Sequence, residues 1–537
     1  MIRLTELRLP IDHAPEALEQ AILKRLHLEP KDLMGFTVFK RSYDARKNVA
    51  LSLIYTVDVS IKDEDALLQK YSGDQHVRIS PDTSYHFVTN ASQAHPIDRP
   101  VVIGFGPCGI FAALVLAQMG FKPIVLERGK AVRERTQDTW GLWRKKILNP
   151  ESNVQFGEGG AGTFSDGKLW TQVKDPKFYG RKVLAEFVKA GAPEEILYVA
   201  KPHIGTFRLV GVVEKMRQEI IELGGEIRFQ QKVNGFVITH DQIQAVQIEG
   251  QPDLPASHVI LALGHSARDT FQALHDAGVY MEAKPFSIGF RIEHPQSLID
   301  KARLGPHAGN PLIGAADYKL VHHAKNGRSV YSFCMCPGGT VVAATSEPNR
   351  VVTNGMSQYS RNERNANAGI VVGITPDDYP GGPLAGIEFQ RALESKAFEL
   401  GGSTYEAPGQ LVGDFLAGKA STEFESVLPS YKPGVHLTDL ASSLPDYCIE
   451  AIREAIPAFE KQIPGFSLND AVLTGVETRT SSPLRITRGA NYQSMNIKGL
   501  YPAGEGAGYA GGIMSAGIDG IKVAEALALD YQAKELL

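Results

Sequence analysis

The stretch VVIGFGPCG at residues 101–109 decides the fold of this chain. It joins an apolar strand to an apolar helical run through closely spaced glycines. Gly104 permits a tight turn, Gly106 lets the backbone approach a pyrophosphate, and Gly109 allows the helix to pack on the strand. The helix would begin at Pro107, which is counted with the glycines as a candidate contact, and its N-terminal N–H groups suit phosphate. The pattern predicts the first half of a Rossmann β-α-β unit.

A second apolar strand, IVLER at 124–128, completes this unit. Glu127 at its end is placed to accept hydrogen bonds from the hydroxyls of an adenosine ribose. Arg128 beside it is a candidate contact to the same ligand. An acidic residue at this point suits an unphosphorylated ribose, so the sequence favours FAD or NAD over NADP. The fingerprint alone does not separate those two.

A second glycine-rich segment, GLYPAGEGAGYAGG at residues 499–512, favours FAD. FAD is longer than one mononucleotide site, so its ribityl chain and ring need a further turn from strand to helix. Gly504 and Glu505 supply that turn, with Glu505 placed to accept from a ribityl hydroxyl. Gly511 and Gly512 then open a helix at Ile513, whose N-terminus can stabilise negative charge on the reduced ring.

A third segment, NVQFGEGGAGTFSDGKL at residues 153–169, concentrates glycines before hydroxyl side chains. Such a loop can cradle phosphate with its N–H groups and border the flavin. A purely structural loop is the alternative. The candidate contacts are Gly157, Gly159, Gly160, Gly162 and Thr163.

Two further strands are assigned to the same domain. The first is predicted over Glu226–Val233 and would lie against the adenine, with Val233 as a candidate contact. The second is predicted from His258 to Gly264, an apolar strand that ends in a glycine counted among the cofactor contacts. No second dinucleotide fingerprint is present in the sequence, so NAD(P)H is expected only as a transient hydride donor.

The bulk composition excludes several classes of protein. The chain has 537 residues, of which 43% are hydrophobic and 22% charged, and a formal net charge of −4, so it is expected to be a soluble globular protein without a membrane or nucleic-acid bias. Its 4 cysteines form no disulfide framework, which favours the cytoplasm, and no His or Cys spacing predicts a metal site. Residues 2–11 alternate as a strand rather than a signal peptide.

The predicted fold class is α/β with three parts. Residues 1–92 are a small α+β domain, 97–280 and 468–537 form a discontinuous FAD-binding domain, and 281–467 are an inserted mixed α+β domain that holds the substrate. In the first part, strands are predicted over Ile2–Ile11, Phe36–Phe39 and Ala50–Val59, and helices over Ala14–Leu26 and Glu64–Tyr71. Arg41, Arg46 and Lys47 form a basic cluster there that is either a solvated hairpin or a contact to RNA or an acidic partner.

The segment YSFCMCPGG at residues 331–339 carries two thiols. Alternation along a strand puts Cys334 and Cys336 on one face, and a turn at Pro337 is expected to end the strand. The two Cα atoms would be roughly 6.5 Å apart in an extended strand, near the upper limit for a disulfide. Redox or nucleophilic work is one interpretation, and packed thiols that line the flavin site are the other.

Two further side chains are candidates for chemistry. Arg479, in VETRTSSPLR at 476–485, would stabilise an anionic reduced flavin or hold an acidic substrate, unless it is ion-paired within the protein. His203, just before a helix predicted at 210–223, is either a proton donor or a hydrogen-bonded structural histidine.

Four segments together carry a resemblance to a known family. The fingerprint at 104–109, GEGGAGTFSDGKL at 157–169, FCMCPGG at 333–339 and YPAGEGAGYAGG at 501–512 resemble a bacterial family of NAD(P)/FAD-dependent oxidoreductases, the FAD-dependent dehydrogenases. The resemblance covers essentially the whole chain. It implies a glutathione-reductase-like FAD fold with an inserted domain, and FAD held by Glu127, the loop at 157–162, and Gly504 with Glu505.

These observations predict an oxidoreductase with non-covalent FAD that exchanges hydride at flavin N5 with a small-molecule substrate. The substrate itself and the oligomeric state do not follow from the sequence. One alternative is a flavoprotein that acts on RNA and docks it through residues 1–92. The other is a protein that binds FAD without catalysis.

Overall fold

The strand of the fingerprint lies in the middle of a parallel sheet. The computed structural model describes residues 1–44, 50–91 and 98–535. The sheet consists of β5 (Val101–Ile103), β6 (Ile124–Glu127), β7 (Glu226–Phe229), β11 (Val259–Leu261) and β22 (Leu500–Pro502), in the order β22-β11-β5-β6-β7. Because β22 pairs with β11, the C-terminal glycine segment lies beside the fingerprint although it is remote in sequence.

The helices that cover this sheet include the one that the fingerprint predicts. They are α3 (Pro107–Gln118), α4 (Val132–Lys145), α5 (Tyr179–Lys189), α6 (Thr206–Glu222), α7 (Arg268–Asp276) and α12 (Ile513–Glu535). Helix α3 is buried on every side because it lies between the sheet and α12. A Cβ at Gly520 would lie 2.3 Å from the carbonyl oxygen of Cys108, so a glycine is needed where the two helices approach.

The prediction of one strand over Glu226–Val233 is wrong. Strand β7 ends at Phe229, Gln230 has a φ of 56°, and the chain then enters a separate antiparallel sheet at Val233. That sheet contains β8 (Val233–Thr239), β9 (Gln242–Ile248) and β10 (Leu254–Pro255), in the order β10-β9-β8. The left-handed residue turns the chain out of the parallel sheet, and the Val233 side chain is buried in the hydrophobic core.

A large mixed sheet forms the second half of the molecule. Its strands are β13 (Phe286–Pro295), β14 (Val321–His323), β15 (Ser329–Ala343), β16 (Thr353–Ser357), β17 (Asn365–Ile374), β18 (Ala407–Leu411), β19 (Val435–Leu437) and β20 (Val472–Glu477). The order is β14-β15-β17-β13-β20-β18-β19, and β16 pairs with β15. Helices α8 (Gln296–Leu304), α9 (Ala385–Leu400), α10 (Val412–Ala417) and α11 (Asp446–Glu460) belong to this half, and β12 (Glu282–Ala283) pairs with β21 (Leu484–Arg485) next to it.

This sheet corrects two predictions. The boundary at 468 placed β20 with the FAD-binding domain, but β20 pairs with β13 and β18 in the large sheet. The expected turn after Cys336 is also absent, since β15 continues through Pro337 to Ala343. The strand absorbs these residues as irregularities in its register with β17 rather than as a turn.

The N-terminal part is an α+β unit that contacts the parallel-sheet part. Strands β1 (Ile2–Pro10), β2 (Leu33–Asp44), β3 (Ser52–Ile61) and β4 (Val77–Ile79) form a sheet in the order β2-β3-β1-β4, with α1 (Ala17–Leu26) and α2 (Glu64–Lys70). The backbone N–H of Arg41 in β2 donates to the carbonyl of Tyr198 at 2.6 Å, and Ala200 N–H donates to the carbonyl of Arg41 at 2.9 Å. Arg41 therefore lies at this contact, whereas Arg46 and Lys47 lie outside the described residues.

Candidate functional site

The fingerprint glycines are required by close backbone packing. A Cβ at Gly104, which has a φ of 101°, would lie 2.1 Å from the carbonyl oxygen of Ala262. A Cβ at Gly109 would lie 1.9 Å from the carbonyl oxygen of Gly104. Pro107 is the first residue of α3, and the N-cap residue Gly106 offers no capping side chain. The helix therefore begins directly at the edge of the sheet with first-turn N–H groups that can donate to a phosphate.

Glu127 is buried at the end of β6 and joins three loops. One carboxylate oxygen accepts from the backbone N–H of Phe105 at 2.9 Å, and the other accepts from Gly129 at 2.8 Å and Gly157 at 3.0 Å. A carboxylate has about four acceptor positions. These contacts leave room for a ribose hydroxyl while they fix the carboxylate at the end of the strand, so the predicted role of Glu127 fits the geometry.

Arg128 has a different environment from the one predicted. Its guanidinium forms bidentate ion pairs with Glu151 and Asp269 and stacks on the ring of Phe156. Most of its N–H groups are thus occupied by protein carboxylates. Arg128 nevertheless lines a cavity of about 180 Å³ with Gly129, Gln230 and other residues at the ends of β6 and β7. The ion pairs of Arg128 fix the residues that line this cavity, and they leave its guanidinium without a free positive charge for a ligand.

The loop at 157–162 lies directly on the fingerprint. Gly159 N–H donates to the carbonyl of Phe105 at 2.8 Å, and a Cβ at Gly160 would lie 2.8 Å from the Cα of Gly106. At the other side of the loop, a Cβ at Gly162 would lie 2.9 Å from the Ile513 side chain at the start of α12. The three glycine segments of the sequence therefore meet in one place.

Arg135 in α4, which was not predicted as a site residue, supports the loop at 157–162 through hydrogen bonds to its backbone. It is fully buried and donates to the carbonyls of Asn153, Val154 and Glu158 at 2.6–2.7 Å. Its Nη1 also donates to the hydroxyl of Thr163 at 3.4 Å, and a Cβ at Gly157 would lie 2.3 Å from its Cδ. Gly157 and Thr163 are thus packed on Arg135. The only signal in the sequence was an arginine on the apolar side of an amphipathic helix.

The second turn provides a carboxylate without a protein partner. Gly504 N–H donates to Asp519 at 2.7 Å, and Asp519 is paired with Arg488, which fixes the turn. The side chain of Glu505 is half-buried and accepts no hydrogen bond from the described residues. Burial raises the pKa of Glu505 to about 7, although Lys284 acts in the opposite direction. An acceptor in this position suits a hydroxyl of a bound ligand.

Three other predicted glycines surround this turn without protein packing. A Cβ at Gly264, Gly511 or Gly512 would have no protein atom other than its chain neighbours within 4 Å. Gly264 is adjacent to the turn, because a Cβ at Gly506 would lie 2.3 Å from its carbonyl oxygen. These glycines leave space that larger side chains would occupy. We call the space between residues 104–109, 157–163 and 504–513, which extends from the fingerprint to Glu505, the cradle. The residues present therefore fit an extended dinucleotide such as FAD.

Polar side chains from the two sheets meet near Glu505. The ammonium group of Lys168 donates to the carbonyl of Met335 in β15, and the buried pair of Asp166 with Arg361 lies on the same segment. Lys284 is close enough to Glu505 to lower the pKa of that carboxyl, and Cys334 is close enough to raise it. Strand β15 of the large sheet is therefore joined to the segment that continues the glycine loop, and that it lines a flavin site stays a prediction.

The structure places Arg479 in an ion pair within the protein. It is buried and forms a bidentate ion pair with Glu394 at 2.9 Å, and its Nη1 donates to the hydroxyls of Ser266 and Ser346. Its remaining donor capacity is small because Glu394 lies directly opposite. The ion-paired alternative is the one that the structure contains.

His203 is also structural in its contacts. Its Nε2 hydrogen-bonds the carbonyl of Tyr359 at 2.8 Å, and its ring stacks on that tyrosine. Burial, and then the positive charge of Arg361, lower the pKa of His203 to about 4. A neutral imidazole at physiological pH does not serve as a ready proton donor.

Neither a metal cluster nor a membrane segment is found in the part of the chain that the structure describes. Within residues 1–44, 50–91 and 98–535, no three His, Cys, Asp or Glu side chains come together as a metal-binding group. In the same ranges, no helix is both apolar and long enough to cross a bilayer.

The fold and the cradle define a mixed α/β protein of the FAD-dependent class. Residues 285–480 match the family described as FAD-dependent protein, C-terminal domain-like. Residues 1–60 match a domain of unknown function. The first match supports the prediction of FAD and covers most of the large sheet.

The chain is 47% identical over 526 residues to an uncharacterized protein of Clostridium beijerinckii (strain ATCC 51743 / NCIMB 8052), with 98% of each chain covered. It therefore belongs to the same family as that protein.

Solved structures give weaker likenesses. A mutant of the halogenase PltM in complex with FAD is 12% identical, with a TM-score of 0.37, over 80% of this chain and 70% of that chain. The glycerol-3-phosphate dehydrogenase from Bacillus halodurans in complex with FAD is 12% identical, with a TM-score of 0.36, over 82% of this chain and 64% of that chain. These values are too low to carry the assignment, which rests on the family match and the cradle.

Proposed function

We propose that the chain is an oxidoreductase that holds FAD non-covalently in the cradle formed by residues 104–109, 157–163 and 504–513. FAD, when bound, supplies two-electron redox chemistry. The substrate is a small molecule that enters from the side of the large sheet, where β15 borders the cradle. NAD(P)H is proposed as a transient hydride donor.

The environment of Glu505 carries this proposal. A half-buried carboxylate without a hydrogen-bond partner is costly unless a ligand satisfies it. Glu505 follows the turn at Gly504 and lies near glycines at which an added Cβ would have no protein atom other than its chain neighbours within 4 Å. A ribityl chain that lies along these glycines would offer hydroxyls to the carboxylate.

The chain's own residues would divide the work of binding. Glu127 would accept from the ribose, and the first turn of α3 would donate to phosphate. The loop at 157–162 packs directly against the fingerprint and would form one wall of the phosphate site. Lys168 and Lys284 would place positive charge at the end where Glu505 lies and so stabilise a negatively charged reduced flavin or an acidic substrate.

Substitution at Gly511 tests the position of the cofactor. Alanine at this position meets no protein atom, so the fold is expected to be unchanged, whereas a methyl group directed at FAD should raise its Kd at least about tenfold, which corresponds to about 1.4 kcal/mol. Gly373→Ala is the matched control. A Cβ at Gly373 would also have no protein atom within 4 Å, but this residue lies in β17, outside the cradle. Equal FAD affinity for both variants would contradict the proposed position.

Catalysis is tested by anaerobic mixing of the FAD-loaded protein with NADH and then with NADPH, while the visible flavin absorbance is followed. Rapid bleaching is expected with one of the two. A bound flavin that neither nicotinamide reduces, and that no substrate in a panel of small acids and alcohols reduces, would favour a protein that binds FAD without catalysis.

A further inference from the structure

The strand that carries Cys334 and Cys336 is irregular at these residues. Its register with β17 shifts between Phe333 and Cys336 and again between Cys336 and Gly339. Cys334 has a φ of 43°, which is uncommon for a residue with a side chain. The expected simple alternation is therefore replaced by a bulge, and bulges often redirect side chains next to active sites.

The bulge brings the two thiols together. The Sγ of Cys336 donates to the backbone carbonyl oxygen of Cys334 at 3.3 Å, which holds the Cys336 thiol against the Cys334 residue. Cys336 is tightly packed, since a Cβ at Gly355 would lie 2.9 Å from its Sγ. Cys334 is less buried than Cys336. Neither sulfur is bonded to another cysteine.

Two cations fix the backbone between the thiols. Arg291 donates from Nη1 to the carbonyl of Cys334 at 2.8 Å, and Lys168 donates to the carbonyl of Met335. The neighbouring Cys336 side chain lowers the pKa of Cys334, and Lys168 and Arg291 lower it further against the effect of burial. Proximity to Cys334 and burial both raise the pKa of Cys336. A lowered pKa favours the thiolate, which is the reactive form of a cysteine.

The pair lies beside the segment that continues the glycine loop, because Lys168 donates to the carbonyl of Met335 between the two cysteines. Lys168 belongs to the segment that continues the glycine loop at 157–162, and negative charge on Cys334 raises the pKa of Glu505. Cys448 provides a contrast, because it lies in α11 beside Arg328 and Asp378 and its pKa is raised to about 12 by burial. Burial also raises the pKa of Cys108 in the fingerprint, so Cys334 is the one cysteine whose pKa is lowered.

We propose that Cys334 and Cys336 are a redox-active dithiol that exchanges two electrons with the flavin, an inference that rests on the proposed function. Two S–H bonds break and one S–S bond forms between Cys334 and Cys336. The two electrons and the two protons pass to oxidised FAD, which becomes FADH₂, and the reverse step restores both thiols and oxidised FAD. The protein would therefore store two electrons in addition to those held by the flavin.

A reductive titration counts these electrons. The FAD-loaded protein is oxidised with ferricyanide, desalted and titrated anaerobically with dithionite. We expect four electrons per flavin for the wild type and for the control Cys448→Ser, and two for Cys334→Ser and for Cys336→Ser. Uptake of only two electrons by the wild type, with flavin bound, would overturn the dithiol and leave the proposed function intact.

A measurement on the unaltered protein covers the case in which a serine variant does not fold. Alkylation of the unfolded, oxidised wild type followed by mass spectrometry should find Cys334 and Cys336 joined and Cys448 alkylated. Dithionite treatment before unfolding should make both alkylatable, but only when FAD is present. Free thiols at both positions after oxidation would refute the inference, whereas a protein that takes up no FAD at all would refute the proposed function and this inference with it.

Discussion

Glu394 lies where the large sheet and the parallel sheet are joined, and replacing it with glutamine should weaken that junction. The carboxylate is fully buried in α9 and accepts from Arg268 at 2.8 and 3.0 Å and from Arg479 at 3.0 and 2.9 Å. The hydroxyl of Thr478 also donates to it at 2.8 Å. Arg268 begins α7 beside the parallel sheet, whereas Arg479 follows β20 of the large sheet.

The expected loss of stability in Glu394→Gln follows from the two arginine charges that remain after the carboxylate is removed. Glutamine has one acceptor oxygen and one donor group, so the NH₂ group of the new side chain would face donors of the two guanidinium groups. Arg268 and Arg479 would also lose the negative charge between them. Removing one partner of a buried ion pair costs about 3–5 kcal/mol, and we expect Glu394→Gln to lower the free energy of unfolding by about that amount.

A control on the same helix separates burial from the loss of a charge. Glu388 is also in α9 and is paired with Arg391, but its side chain is 71% exposed. Glu388→Gln should therefore change stability by less than about 0.5 kcal/mol. Both variants are compared by thermal and urea unfolding, with the first transition analysed because a chain of several domains need not unfold in one step. Equal shifts for Glu394→Gln and Glu388→Gln would refute the reasoning.

The same ion pairs give the sign of a pH effect. Burial alone would raise the pKa of Glu394, but Arg268 and Arg479 hold it well below its ordinary value of 4.5. A carboxyl with a lowered pKa in the folded state stabilises the protein above its pKa in the unfolded state, and this stabilisation is lost as the pH falls. The difference in stability between the wild type and Glu394→Gln should thus be complete above about pH 5 and shrink below pH 4.5.

Three further outcomes follow from single residues. Gly211 lies in the interior of α6, and a Cβ added there would have no atom within 4 Å, so Gly211→Ala should raise the free energy of unfolding by about 0.5–1 kcal/mol. A lower free energy of unfolding in urea would contradict this. The imidazole of His203 should titrate with a pKa near 4 in NMR spectra, and a midpoint above pH 6 would contradict its burial against Tyr359. Glu505→Gln should weaken FAD binding about tenfold or more above pH 7, where the wild-type carboxyl is ionised, and less below it; an equal Kd for both proteins at high pH would exclude the proposed contact.

The parts of the fold that could be predicted are those that local backbone geometry requires. Gly104 and Gly109 are needed wherever a strand turns sharply into a helix that packs back on it, so β5, α3 and β6 follow from a short stretch of sequence. The turn at Gly504 before α12 follows in the same way. That both turns lie in one place could be predicted because FAD is longer than one mononucleotide site, whereas the pairing of β22 with β11, which brings them together, was not predicted.

The large sheet could not be predicted to the same degree, because its pairings join distant segments. Strand β20 pairs with β13, which is far away in the sequence, and nothing near residue 468 marks it as part of that sheet. The segment after Cys334 also packs on a part of the chain that is not adjacent in sequence. A Cβ at Gly338 would lie 1.8 Å from the carbonyl oxygen of Arg361 in the loop before β17, so the PGG segment serves close packing rather than a turn.

Arg479 and Glu505 show why candidate catalytic residues are harder to predict than glycine turns. Both are charged residues next to the final flavin turn, and both were given a role toward FAD from their position alone. Glu394 brings a counter-charge to Arg479 from a helix that is remote in sequence, whereas no described residue donates a hydrogen bond to the Glu505 side chain. The chemical availability of a side chain is thus set by what the rest of the fold places opposite it. For that reason, the unpartnered carboxylate is a better guide to the flavin site than the ion-paired arginine.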